Sequence, residues 1–136
     1  MLSKKTQYAL KALGLLASGY GKGPVLIAEI AAKKNIPVKF LESILLELKN
    51  NHILDSKKGK GGGYFLVNAP KQTTLATIIR LVGGPIALIP CVSLNFYEKC
   101  EDCDEAICGV NKVMAQTRDA TLKILEKKTL QDLVDR

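Results

Sequence analysis

Four cysteines, Cys91, Cys100, Cys103 and Cys108, fall within one stretch of eighteen residues, CVSLNFYEKCEDCDEAIC, and the 136-residue chain has no others. Their spacing is C-x8-C-x2-C-x4-C. Four thiolates can hold a [2Fe–2S] or [4Fe–4S] cluster, or one zinc ion. The short Cys100–Cys103 spacing brings two sulfurs to one site, which suits chelation and equally suits a redox disulfide. The third reading is four small residues of a core. Against it stand the neighbours Glu98, Glu101, Asp102, Asp104 and Glu105, which place the segment in an exposed loop. Those acids also oppose a low thiolate pKa, so a highly reactive catalytic thiol is not expected. A thioredoxin-type oxidoreductase needs its C-x-x-C at a helix start after a strand in a βαβ unit, and that context is missing. The one histidine, His52, lies far in sequence from every cysteine, which gives a cysteine–histidine catalytic pair little support.

Charge narrows the partner. Residues 1–72 carry twelve lysines against four acids, a balance of +8, whereas residues 73–136 carry eight basic and nine acidic side chains. The excess in the first part calls for a polyanionic partner, DNA or RNA or an anionic membrane, with a solvated lysine surface as the plainer reading. No apolar run reaches the length of a membrane span. The start, MLSKKTQYALKALGLLASGYGKG, has polar residues inside its apolar stretch. Tyr8, Ala9, Ala12, Leu13 and Leu16 recur at helical spacing, so it reads as an amphipathic helix and not a signal peptide. A cytoplasmic protein is expected, where reducing conditions disfavour stable disulfides.

These residues must be positioned by elements whose outline is regular. A helix over about Ser3 to Ser18 ends at GYGKGP. LIAEIAAKKN gives a short helix with Leu26, Ile27, Ile30 and Ala31 on one side. Asn35-Ile36-Pro37 is a turn, with Pro37 in the first turn of the next helix. There Leu41, Ile44, Leu45 and Leu48 form an apolar stripe. Helix, short helix, tight turn and helix outline a helix-turn-helix. Ile53 to Lys57 and Tyr64 to Val67 read as strands around the glycine- and lysine-rich tip KGKGGG, so a wing follows. The glycines are not a nucleotide-binding loop, because no G-x-x-x-x-G-K-[ST] is present and no helix opens after them. Thr74 caps a helix over Leu75 to Val82. From Gly109 a long helix carries Val110, Val113, Met114, Thr117, Thr121, Ile124 and Leu125 in a stripe, and Thr129 caps a short last helix.

In such a head the N-terminal residues of the second helix face base edges. Here these are Val38, Lys39, Phe40, Glu42 and Ser43. Lys39 can donate to guanine or phosphate, Glu42 can accept from cytosine, and Ser43 can do either. Phe40 suits a thymine methyl or a buried contact. Lys33, Lys34, Lys49, Lys57, Lys58 and Lys60 are expected on phosphates, with Gly59 letting the wing backbone come close.

The stretches YALKALGLLA, IPVKFLESILLELKNNHIL, SKKGKGGGYFLVNAP, TLATIIRLVGGPI and KTLQDLV resemble the winged-helix bacterial regulators that include the iron–sulfur cluster biogenesis regulator (IscR), the nitric-oxide-sensing repressor (NsrR) and the cysteine-metabolism repressor (CymR). The resemblance implies a mostly α fold with a small β-hairpin wing, and a long C-terminal helix that forms a homodimer. It implies a transcription factor and not an enzyme, binding double-stranded DNA at a pseudo-palindromic operator, with neither a membrane nor a small-molecule substrate as partner. The expected segments are a winged head over residues 1–84, a cysteine-bearing sensor loop over 85–108, and the dimerisation helix with a short helix over 109–136. Cluster-binding members use three cysteines in that loop. Cys91 and Cys108 match the first and last, while Cys100 and Cys103 both compete for the middle. Some members have a histidine three residues after the last cysteine, where this chain has Asn111. The resemblance leaves open a cluster-modulated regulator, a thiol-redox or zinc regulator of the same fold, and a cofactor-free regulator acting through a protein partner.

Overall fold

The computed structural model describes residues 2–134; the outer limits of the expected segments, residues 1 and 136, lie outside the described residues. Five helices and one hairpin follow one another: α1 (Lys4–Ser18), α2 (Ile27–Lys34), α3 (Val38–Asn50), β1 (Leu54–Lys57), β2 (Gly63–Leu66), α4 (Leu75–Gly83) and α5 (Gly109–Leu125). This is the expected mostly α winged-helix fold. Helix α1 starts where Ser3 accepts a hydrogen bond from the Thr6 N–H at 3.1 Å, which satisfies one of the donors a helix start leaves open. Between α2 and α3, Asn35 takes a left-handed conformation (φ 53), tolerable for asparagine, and Ile36 drops into the core. Pro37 precedes the helix as its cap residue and is not in its first turn; its ψ of 128 is extended. Leu26 likewise caps α2 and is 57% exposed, so it is not part of the inner face.

The core joins Ala9, Leu13, Ile30, Leu41, Ile44, Leu45, Leu48, Ile78 and Leu130, all fully buried. Each leucine so placed contributes roughly 1.5–3 kcal/mol. The wing pairs Leu54 with Leu66 and Lys57 with Gly63 in an antiparallel ladder. Its strands begin one residue later and one earlier than the sequence suggests, and Ile53 and Val67 are joined only by one further bond of 3.2 Å. Val25 adds an isolated antiparallel bridge to β2, exchanging two bonds of 2.9 Å with Tyr64. This close approach needs Gly63, whose φ is 138 and whose missing Cβ would strike the Val25 carbonyl.

Beyond α4 the chain runs irregularly to a 3₁₀ turn at Pro90–Val92 and on to α5. The expected final helix is a 3₁₀ turn, Leu130–Leu133, with Thr129 and Asp132 forming a capping box. It packs on α1 so closely that a Cβ on Gly14 would lie 2.9 Å from the Leu133 carbonyl oxygen. The apolar stripe expected along α5 divides. Leu125 packs on the core and Leu122, outside that stripe, is buried, while Val110, Val113 and Ile124 are 61%, 52% and 60% exposed. Among the described residues, no helix is long and apolar enough to cross a membrane.

Candidate functional site

The head presents α3 by its buried stripe, which turns the opposite face outward. Val38, Lys39, Glu42 and Ser43 are exposed there, and the Ser43 hydroxyl donates to the Phe40 carbonyl at 2.8 Å. Phe40 is 36% exposed. Its ring meets Tyr8 edge to face, with centroids 5.5 Å apart, so it fixes the angle between α1 and α3 while leaving one edge open. Lys33 pairs with Glu29 at 2.9 Å, and Lys34 is half-buried beside it. Lys49 is half-buried and donates to Ser56 at 2.7 Å, tying α3 to β1. Lys57, Lys58, Gly59 and Lys60 are exposed at the wing tip, where Gly59 and Gly61 have φ of 88 and 75. The exposed residues at the start of α3 and the exposed wing cations thus belong to one head.

The thiols converge although the sequence separates them. Cys91 lies in the Pro90–Val92 turn, Cys108 is the N-cap of α5, and Cys100 and Cys103 occupy the irregular segment between. All four line one cavity of about 450 Å³, together with Ile89, Pro90, Glu98, Lys99 and Val110. All four are free and half-buried. The Cys108 sulfur accepts from the Asn111 backbone N–H at 3.4 Å, and the Cys91 sulfur accepts from the Asn111 carboxamide at 3.4 Å. Hydrogen bonding with Cys100, with burial and the nearby Cys100 and Cys108 sulfurs, pushes the Cys103 thiol up to about 12. The Tyr97 hydroxyl donates to Glu105 at 2.5 Å, which raises its pKa and closes the loop on itself.

The donor set suits a cationic group. Four sulfur donors on one cavity are the ligand type that a soft or borderline metal centre takes, and binding such a centre releases their protons. Among the described residues, no three His, Cys, Asp or Glu side chains are gathered tightly enough to hold a single metal ion. Sequence reasoning missed three contacts: the Asn111 amide on Cys91, the Tyr97–Glu105 bond, and Arg118. The Arg118 guanidinium donates to the Val92 carbonyl at 2.8 Å and pairs with Asp119 at 2.8 Å. Asn111 carried a signal, standing where some relatives have a histidine; Arg118 carried none.

A winged head, a thiol-lined loop and a helix with an open apolar face together make the outline of a winged-helix regulator. The family described as "Rrf2: Iron-dependent Transcriptional regulator" matches residues 2–136. An Rrf2-like regulator of Rhodobacter capsulatus is 38% identical, covering 98% of this chain and 92% of its own. The regulator IscR of Sodalis glossinidius is 30% identical, covering 98% of this chain and 78% of its own. The solved structure of CymR, the global cysteine regulator of B. subtilis, superposes with a TM-score of 0.81 at 32% identity, covering 98% of this chain and 95% of that one. This chain belongs to the Rrf2 family of transcriptional regulators, the family its sequence resembles.

Proposed function

We propose that this protein is a homodimeric, cytoplasmic regulator that binds a pseudo-palindromic operator, its hold on DNA set by an iron–sulfur cluster on Cys91, Cys100, Cys103 and Cys108. The observation that carries the reading is the convergence of four thiols on one cavity at the start of α5. The family description, iron-dependent, supports it. When bound, a cluster supplies a redox- and oxidant-sensitive cation that compensates the four sulfurs. The rest is work for the chain's own residues. Lys39, Glu42 and Ser43 address base edges, and Lys57, Lys58 and Lys60 address phosphates. Lys33 and Lys34, at the end of α2, and Lys49, in the last turn of the recognition helix, address further phosphates, and Lys49 also braces the wing through Ser56. Val110, Val113 and Ile124 offer an apolar stripe to the same stripe of a second copy, which spaces two heads for two half-sites.

Cys91 is tied to the segment after α4, and Cys108 caps α5. Drawing these sulfurs together or releasing them alters how α5 leaves the head, and so the separation of the two heads. Cofactor state and operator then bias one equilibrium, each changing the other's affinity by the same factor.

Anoxic purification followed by absorbance, iron, sulfide and zinc analysis tests the cofactor. Titration of the loaded and stripped protein against genomic fragments tests the coupling. Iron and sulfide with altered fragment affinity on stripping are expected; identical binding in both states refutes the coupling. The placement of Cys100 and Cys103, three residues apart, on one cavity favours a second reading, a thiol-redox switch through a disulfide of that pair. Bound zinc with no iron or sulfide would instead mark a four-thiolate zinc site.

A further inference from the structure

Among the described residues, the Asn111 carboxamide is the non-thiol side chain that hydrogen-bonds a sulfur of the thiol site. The Asn111 carboxamide nitrogen lies 3.4 Å from the Cys91 sulfur, across twenty residues of chain, and the Asn111 backbone N–H lies 3.4 Å from the Cys108 sulfur. One residue therefore holds both ends of the thiol loop. We propose that Asn111 is a positioning residue of this site, its carboxamide N–H holding the Cys91 sulfur in place as a ligand. The inference rests on the reading of Cys91 as a ligand. It differs from a role as ligand itself, because the amide presents its nitrogen, which can only donate.

Three observations support this direction. A ligating thiolate has no proton and can only accept, so an N–H is the group that complements it. Second, α5 grips the Cys91 segment again two turns further on. Arg118, whose side chain is 16% exposed, donates to the Val92 carbonyl at 2.8 Å. Asn111 and Arg118 are seven residues apart and so share a face of the helix. Third, Val92 and Ser93 are 3% and 5% exposed, so the strapped segment is a fixed support. Among the described residues, no group within α5 bonds Cys100, and Cys103 meets α5 at its cap thiol, Cys108, and at no residue of the helix proper. The site is thus two anchored sulfurs and two carried by a loop. Partners of this kind orient metal ligands, and hydrogen bonds to ligating sulfurs shift cluster potentials.

The test uses the full chain with Asn111→Ala and Asn111→Asp, which remove the donor but keep the backbone N–H that Cys108 accepts. Arg118 still straps the backbone in both, and circular dichroism checks that they fold. Cobalt(II) is the first probe, read by its sulfur-to-metal charge-transfer absorbance. Both variants should bind it about 10–100-fold more weakly than the parent. Equal affinity overturns the proposal. The second arm maps iodoacetamide alkylation by mass spectrometry in metal-free, reduced protein, in alkaline buffer so that ionisation does not limit the rate. Cys91, freed from its donor, should react several-fold faster relative to Cys108 in the variants; an unchanged ratio overturns the proposal. A parent that binds neither cobalt nor iron sinks the cofactor reading, and the alkylation ratio still decides whether Asn111 holds Cys91.

Discussion

Replacing Lys58 with alanine gives a quantitative test of the head. Lys58 is exposed on the wing beside Gly59 and makes no ion pair among the described residues. Its removal therefore leaves the fold and the base-reading face intact. In a symmetric dimer one substitution removes two phosphate contacts. Each contact contributes about 0.9 to the slope of log affinity against log salt, so the slope should flatten by about 1.8. Over a fourfold rise in salt that changes the ratio of parent to variant affinity by about twelvefold. Fluorescence anisotropy titrations on the tightest fragment from a genomic pool, at four or more salt concentrations, read both numbers. Unrelated duplexes should show the same flattening, because a phosphate contact carries no sequence information. A slope equal to the parent's, or a loss confined to one sequence, would refute the placement of the wing on the DNA backbone.

Lys39→Ala should instead change which fragments are preferred, costing about 1–3 kcal/mol at the affected base pair with the salt slope little altered; unchanged preference in a selection experiment contradicts the assignment of α3. Ile124→Glu places a charge in the exposed stripe of α5, and the protein should sediment as a monomer with much weakened operator binding. In metal-free reduced protein at about pH 8, Cys103, its thiol pushed up to about 12, should stay almost wholly protonated and alkylate slowest of the four. Leu45→Ala, emptying a fully buried site between α3 and the rest of the head, should lower unfolding free energy by about 2–5 kcal/mol in urea titrations.

The head was readable from sequence because its signals are local. The stripe Leu41, Ile44, Leu45, Leu48 faces the core as its spacing requires, and the Lys-Gly-Lys-Gly-Gly-Gly run forms the wing tip. The thiol site was readable only as a list of residues. That Cys91 and Cys108 meet at one asparagine depends on a contact twenty residues apart, and no periodicity encodes it. The strap from Arg118 to Val92 crosses twenty-six residues and uses a backbone carbonyl, which has no sequence signature. Helix α5 shows a different limit. Periodicity marks an apolar face but not its neighbours, so the split between Leu125, packed on the core, and Ile124, left exposed, emerges only once α4 is placed. The register of Pro37 and Leu26 was off by one position because cap residues are chosen by backbone angles as much as by side-chain polarity.

The far end of α5 is stitched down as firmly as its beginning. The Leu75 N–H bonds the Lys128 carbonyl at 2.9 Å, the Leu130 N–H bonds the Thr73 carbonyl at 3.1 Å, and Leu130 is sealed in the core. A rod pinned at one end only could shed a push at its free tip by swivelling. This one has no slack there, so displacement at the sulfur end must be taken up by bending the rod or by turning the entire lobe to which its other end is riveted.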